Sequence, residues 1–195
     1  MDLASSHPDK RQPAVEPDDR PLLAIDVDGV ISLFGFEESP PLSAVRWELI
    51  DGTVYCLSIA ASERILRLAD RFELVWATGW QDRANDRLSL LTGIGPLPVI
   101  EFDAHRKAGD ASTTTFAHWK LGAIDEFCGD RPVAWIDDSF DQSCYDWAAD
   151  RERAGAATLL VPTDPAIGFE EAQASAMADW ADSLSPVSQP SDHLH

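Results

Sequence analysis

Basic residues are scarce in this sequence. It carries 15 Lys and Arg against 34 Asp and Glu, which gives a formal net charge of −19 over 195 residues. A surface this acidic repels phosphate backbones and anionic lipid, so it argues against a nucleic-acid coat protein or a membrane-surface binder. It still allows a small anionic substrate in a locally positive, metal-bearing pocket. Long apolar runs are missing too, with none near the about 18 residues of a membrane span. Met1 to Arg20 are polar and rich in Pro and Asp, and they lack the apolar core of a secretory signal. Cysteine is limited to Cys56, Cys128 and Cys144, with no Cys-x-x-Cys. That argues against a disulfide frame or a zinc knuckle. It points to a reduced, cytoplasmic protein whose thiols act as small core hydrophobes.

What is present suffices for one buried domain, since 45% of the residues are hydrophobic. Residues 1–20 and 185–195 read as disordered tails, with too few apolar groups to offset ordering entropy. The domain is then 21–184. Four short, nearly all-apolar runs have the character of strands buried on both faces of a parallel sheet: Leu22–Ile25, Phe72–Ala77, Pro132–Ile136 and Thr158–Val161. Leu97–Ile100 is a fifth candidate, weakened by Pro98. Helical patterns alternate with them over Ser62–Arg71, Gln81–Leu91, Thr115–Cys128, Cys144–Ala154 and Phe169–Leu184. This alternation predicts a Rossmann-like, doubly wound α/β sheet. Asp51-Gly52, between the strand-like runs Arg46–Ile50 and Thr53–Leu57, predicts a β-hairpin flap after the first strand.

Ligands of open α/β sheets sit beyond the carboxyl ends of the strands. Beyond the first run stand Asp26 and Asp28. Thr78 and Gly79 follow the second, and Asp137 and Asp138 follow the third, with Asp141 close behind. Carboxylates gathered this way raise one another's pKa or require a cation, and an all-oxygen site suits Mg²⁺. One carboxylate can then attack phosphorus while a second serves as general acid and then base.

Asp26-Val27-Asp28-Gly29-Val30-Ile31 resembles the first motif of the haloacid dehalogenase (HAD) superfamily, an apolar strand followed by Asp-x-Asp-x-(Thr/Val)-(Leu/Ile/Val). Ala77-Thr78-Gly79 resembles its second motif. Lys120 suits the third, and Ile136-Asp137-Asp138-Ser139-Phe140-Asp141 the fourth, all in the family's order. The resemblance implies a HAD-like fold and an Mg²⁺-dependent phosphomonoester hydrolase acting on a small molecule or a macromolecule end. Asp26 would be the nucleophile and a metal ligand. Asp28 would be the acid and base, with its backbone carbonyl on the metal. Thr78 would hold phosphoryl oxygens, and Lys120, with Lys107 as its rival, would neutralise charge. Asp137 or Asp138 would complete the metal site, with Asp141 a further option beside Asp137. The stretches after the first and second motifs are too short for a full cap domain, so the chain resembles a capless member. The polar stretch Glu101–Thr114, with His105, Arg106 and Lys107, would form a rim loop.

Other readings of the same residues exist. Asp-x-Asp also binds Mn²⁺ and a nucleotide sugar in glycosyltransferases, but nothing else here supports that. A phospho-receiver domain places its acids in a different order. A non-catalytic metal- or phosphate-binding module and a phosphotransferase to an acceptor other than water keep the same motifs. Trp76, Trp80, Trp119 and Trp135 suit core packing. Trp80, just past a strand end, is the candidate stacking platform, and His118 and His105 read as surface residues.

Overall fold

The computed structural model describes residues 20–102 and 118–184. The expected tails (Arg20 apart) lie outside these residues, as do residues 103–114 of the expected rim loop and with them Lys107. The first strand, β1, spans Leu22–Ile25. It is followed by β2 (Ser32–Leu33), β3 (Val45–Ile50) and β4 (Thr53–Ser58). Next come α1 (Ile59–Leu68), β5 (Glu73–Trp76), α2 (Arg83–Thr92) and α3 (Leu121–Cys128). The chain continues through β6 (Val133–Asp137), α4 (Gln142–Ala154), β7 (Thr158–Pro162) and α5 (Glu171–Leu184).

Strands β5-β1-β6-β7 form a four-stranded parallel sheet in that order. Their apolar runs exist because both faces are covered. Leu23, Ile25, Trp76 and Ile136 pack into one cluster with Ala61 and Ile65 of α1, Leu88 of α2 and Met177 of α5. Leu22, Ala24, Val75 and Trp135 pack into another with Leu121 and Ile124 of α3 and Cys144 of α4. Successive residues of each strand thus serve opposite layers, as the pleat requires. The architecture is α/β, with helices on both faces of a parallel sheet. Leu97–Ile100 contributes only a bridge, Val99 beside Trp76, with Trp76 N–H donating to the Pro98 carbonyl at 2.9 Å. Pro98, having no N–H, cannot extend that ladder.

From β1 the chain passes to β5 on one side, and later places β6 and β7 on the other. The carboxyl ends of β1 and β6 therefore flank the point where strand order reverses, the usual place for a ligand crevice.

A second, antiparallel sheet follows β1 in the order β2-β4-β3. Strands β3 and β4 pair from Val45↔Ser58 to Ile50↔Thr53. Asp51 (φ 51°) and Gly52 (φ 86°) both lie in the left-handed region, which a two-residue hairpin turn of this twist demands. The two-residue strand β2 was not expected. It pairs Ser32 with Leu57 and Leu33 with Cys56, and so ties the hairpin to the loop after β1. Among the described residues, no helix is long and apolar enough to cross a membrane.

Candidate active site

Two strand ends deliver the acids. The loop after β1 carries Asp26 and Asp28, and β6 ends in Asp137 with Asp138 next. Asp26 N–H donates to the Ile136 carbonyl at 3.0 Å, and Ala77 N–H donates to the Ile25 carbonyl at 2.8 Å. Asp26 therefore sits between the ends of its two neighbouring strands, and Thr78 follows directly on one of them.

Lys120 joins the groups. Its ammonium lies 2.6 Å from Asp26 Oδ2 and 2.7 Å from Asp137 Oδ2, with all three side chains buried. Its expected place, inside a helix from Thr115 to Cys128, needs correction. Residues 115–117 lie outside the described part, and α3 begins only at Leu121, with Lys120 at its N-cap. His118-Trp119-Lys120 precede it as a turn whose geometry is set by the Lys120 N–H donating to His118 Nδ1 at 3.3 Å. His118 is thus a buried structural residue, not a surface one.

The acids differ in how they are held. Asp137 Oδ2 also accepts from Trp135 Nε1 (3.1 Å), and its Oδ1 accepts from Ser139 N–H (3.1 Å). Trp135 and Asp137, two apart on β6, share one face of the strand. Asp26 Oδ1 accepts from Val27 N–H at 2.8 Å. Asp28 Oδ2 accepts from Trp80 Nε1 at 3.0 Å, and the Ser32 hydroxyl also bonds to its carboxylate. Asp138 has no side-chain partner among the described residues. It lies over Gly29, where a Cβ would come within 2.4 Å of its carboxyl, so only glycine fits. Gly29 also has φ +73°, which suits no other residue well. Thr163 closes the back of this loop, its hydroxyl donating to the Gly29 carbonyl at 2.9 Å and its N–H to the Asp137 carbonyl at 3.0 Å.

Asp141 does not join the acids. Its carboxylate caps α4, accepting from Ser143 N–H (2.9 Å) and Cys144 N–H (3.3 Å). Those bonds, with the Ser143 hydroxyl foremost, hold its carboxyl below the usual range. Thr78 is fully buried, and its hydroxyl oxygen accepts from Trp80 N–H at 3.3 Å, which leaves the O–H proton to donate. Trp80 is no open platform. Only 5% exposed, it packs on Tyr55 of the hairpin with ring centroids 4.7 Å apart. Trp119 is the exposed tryptophan here (46%), its ring 5.3 Å from the Lys120 ammonium.

Burial dominates the electrostatics. It pushes Asp26 up to about 7, with the Lys120 charge opposing and the Asp137 charge adding to it. Asp28 is raised by burial, against the Trp80 hydrogen bond and Lys120. Asp138 is raised by burial and by the Asp137 charge. Among the described residues the Lys120 ammonium pairs with two of these four acids, Asp26 and Asp137, and acids gathered this way can take a further cation. Asp26, Asp137 and Asp138 can each offer an oxygen within 4.8 Å of the others. That donor set is all oxygen and suits Mg²⁺.

Sequence reasoning missed that Trp135, Ser139 and Trp80 hold these carboxylates and that Thr163 closes the loop behind them. Only the Trp135–Asp137 spacing signalled such a role in advance. Neither a protein-family model nor a curated protein matches this chain.

Proposed function

We propose that this chain is an Mg²⁺-dependent phosphomonoester hydrolase of the HAD type, without a cap domain, working through a phosphoaspartate on Asp26. The observation that carries this reading is Lys120. One buried ammonium bridges Asp26 and Asp137, from opposite sides of the strand-order reversal. The motif order read from sequence thus coincides with a spatial cluster. Under this reading the parallel sheet is the Rossmann-like core and the β3–β4 hairpin is the flap beside the crevice.

Asp26 attacks phosphorus, the bond to the leaving oxygen breaks, and Asp28 gives that oxygen its proton. Asp28 then takes a proton from the water that attacks the phosphoaspartate, which releases phosphate and restores Asp26. Lys120 holds Asp26 in place and balances its charge, and the Thr78 hydroxyl donates to a phosphoryl oxygen. Asp26, the Asp28 backbone carbonyl and Asp138 would hold Mg²⁺, which when bound neutralises phosphoryl charge. Asp138 is preferred over Asp137 as the direct ligand, because three hydrogen bonds already occupy Asp137. The substrate is a phosphorylated small molecule or macromolecule end, with nucleic acid disfavoured by the net charge of −19.

The test is phosphate release from a panel of phosphomonoesters, with Mg²⁺ or with EDTA. Release that needs Mg²⁺ supports the reading. Release that is indifferent to EDTA refutes it.

A further inference from the structure

Trp80 meets the proposed acid Asp28 through its ring nitrogen. Nε1 donates to Asp28 Oδ2 at 3.0 Å. The remainder of the indole is fixed from two sides. Tyr55 of β4 packs on it at 4.7 Å, and the Arg83 guanidinium lies 5.3 Å above it. Arg83 is itself tethered, since it and Arg87, both on α2, pair with Asp51 at the hairpin tip at 2.9 and 2.8 Å. A continuous set of contacts therefore runs from the hairpin turn, through α2 and the indole, to the Asp28 carboxylate. Nothing in Asp-x-Asp-Gly or in Ala-Thr-Gly calls for a tryptophan here. A buried N–H must find an acceptor, and the one it finds is the oxygen of the group assigned to proton transfer.

We propose that Trp80 is a positioning residue for Asp28, holding its carboxyl in the orientation that delivers a proton to the leaving oxygen, with the β3–β4 hairpin holding Trp80. The inference rests on the phosphatase reading above. Without the N–H the Asp28 carboxyl keeps the Ser32 hydroxyl bond but loses its second hold and turns from the reacting oxygen, and a misplacement of about 1 Å costs on the order of 100-fold where geometry matters. The loss falls where protonation matters. A poor leaving group such as an alkyl alkoxide needs the proton, whereas 4-nitrophenolate leaves without it.

The experiment compares wild type, Trp80→Phe and Asp28→Asn on 4-nitrophenyl phosphate, phenyl phosphate and glycerol phosphate. It reads kcat/KM, which reports the step that breaks the bond to the leaving group. Trp80→Phe keeps a ring against Tyr55 and removes the N–H. The expected result is a loss of about tenfold or more on glycerol phosphate and under about twofold on 4-nitrophenyl phosphate, in the same order as the losses of Asp28→Asn. An equal loss on all three esters overturns the positioning role and leaves the phosphatase reading standing. A wild type inert on all three with Mg²⁺ removes both. A second measurement needs no Trp80 variant: the Trp80 indole N–H resonance, identified by its contacts to Tyr55. It is expected downfield in wild type and shifted upfield in Asp28→Asn; an unmoved resonance overturns the proposal.

Discussion

Replacing Asp26, the proposed nucleophile, should make the metal-free protein more stable. Asp26 ionises at 3.8 in an unfolded chain, and burial pushes it up to about 7 in the fold. The folded protein therefore binds a proton that the unfolded chain releases between these values. Stability linked to this group is fully present below about pH 4. It declines as the pH rises and is lost once the pH passes about 7. A shift of about 3 units at 1.36 kcal/mol each sets an upper bound of about 4 kcal/mol for the cost of ionised Asp26 at pH 8. Asparagine keeps the shape and carries no charge, but it weakens the contact with Lys120, whose other partner, Asp137, remains. The expected direction for Asp26→Asn in EDTA at pH 8 is therefore a net gain, below that upper bound. For a chain of this size each kcal/mol moves the melting temperature by about 2–4 °C, so the gain reads as a rise in melting temperature. The gain should shrink towards pH 5, where wild-type Asp26 is protonated. Added Mg²⁺ should raise the melting temperature of wild type more than that of the variant, because the variant lacks one carboxylate of the proposed metal site. Thermal melts at pH 5 and pH 8, with EDTA and with Mg²⁺, read all three effects. A variant that melts below wild type in EDTA at pH 8 would refute the reasoning, because Asp26 would then be stabilising the fold rather than straining it.

Lys120→Met should have the opposite sign. It leaves Asp26 and Asp137 buried without their shared cation, and breaking such a pair costs about 3–5 kcal/mol, which urea unfolding would show as a lower midpoint; an unchanged midpoint contradicts the pairing. Gly29→Ala would place a methyl within 2.4 Å of the Asp138 carboxyl, so weakened Mg²⁺ binding by titration calorimetry is expected with the far-UV circular dichroism retained, whereas full Mg²⁺ affinity would show that Asp138 is not a ligand.

The sheet was legible because its signal is strong and local. Runs such as Leu22–Ile25 are apolar throughout, and a strand covered on both faces permits nothing else. Their order in space was less legible, since periodicity says nothing of which strands are neighbours. Asp-Gly announced the hairpin, but Ser32–Leu33 is too short to show any pattern. The acids were found because each follows a strand. Asp141 also follows one, yet it caps α4, and the Ser143-Cys144 N–H groups just beyond it are the physical reason. Lys120 was expected within a helix. It stands instead at the N-cap, where the turn from His118 lets it reach Asp26. Trp80 suits core packing, as its sequence context suggests, and the alternative of an open stacking platform past the strand end is not what the fold shows. The hairpin covers the indole, and that contact joins segments too far apart in sequence for any pattern to disclose.

The central claim is that Asp26 is a nucleophile at an Mg²⁺ site, and one comparison tests it most directly. Phosphate release by wild type and by Asp26→Asn is measured side by side at saturating Mg²⁺, on whichever phosphomonoester wild type hydrolyses fastest. The account predicts that the variant folds, melts higher in EDTA, and loses turnover by many orders of magnitude, as removal of a nucleophile does. A folded Asp26→Asn protein that keeps more than about one hundredth of the wild-type rate would contradict covalent catalysis through Asp26.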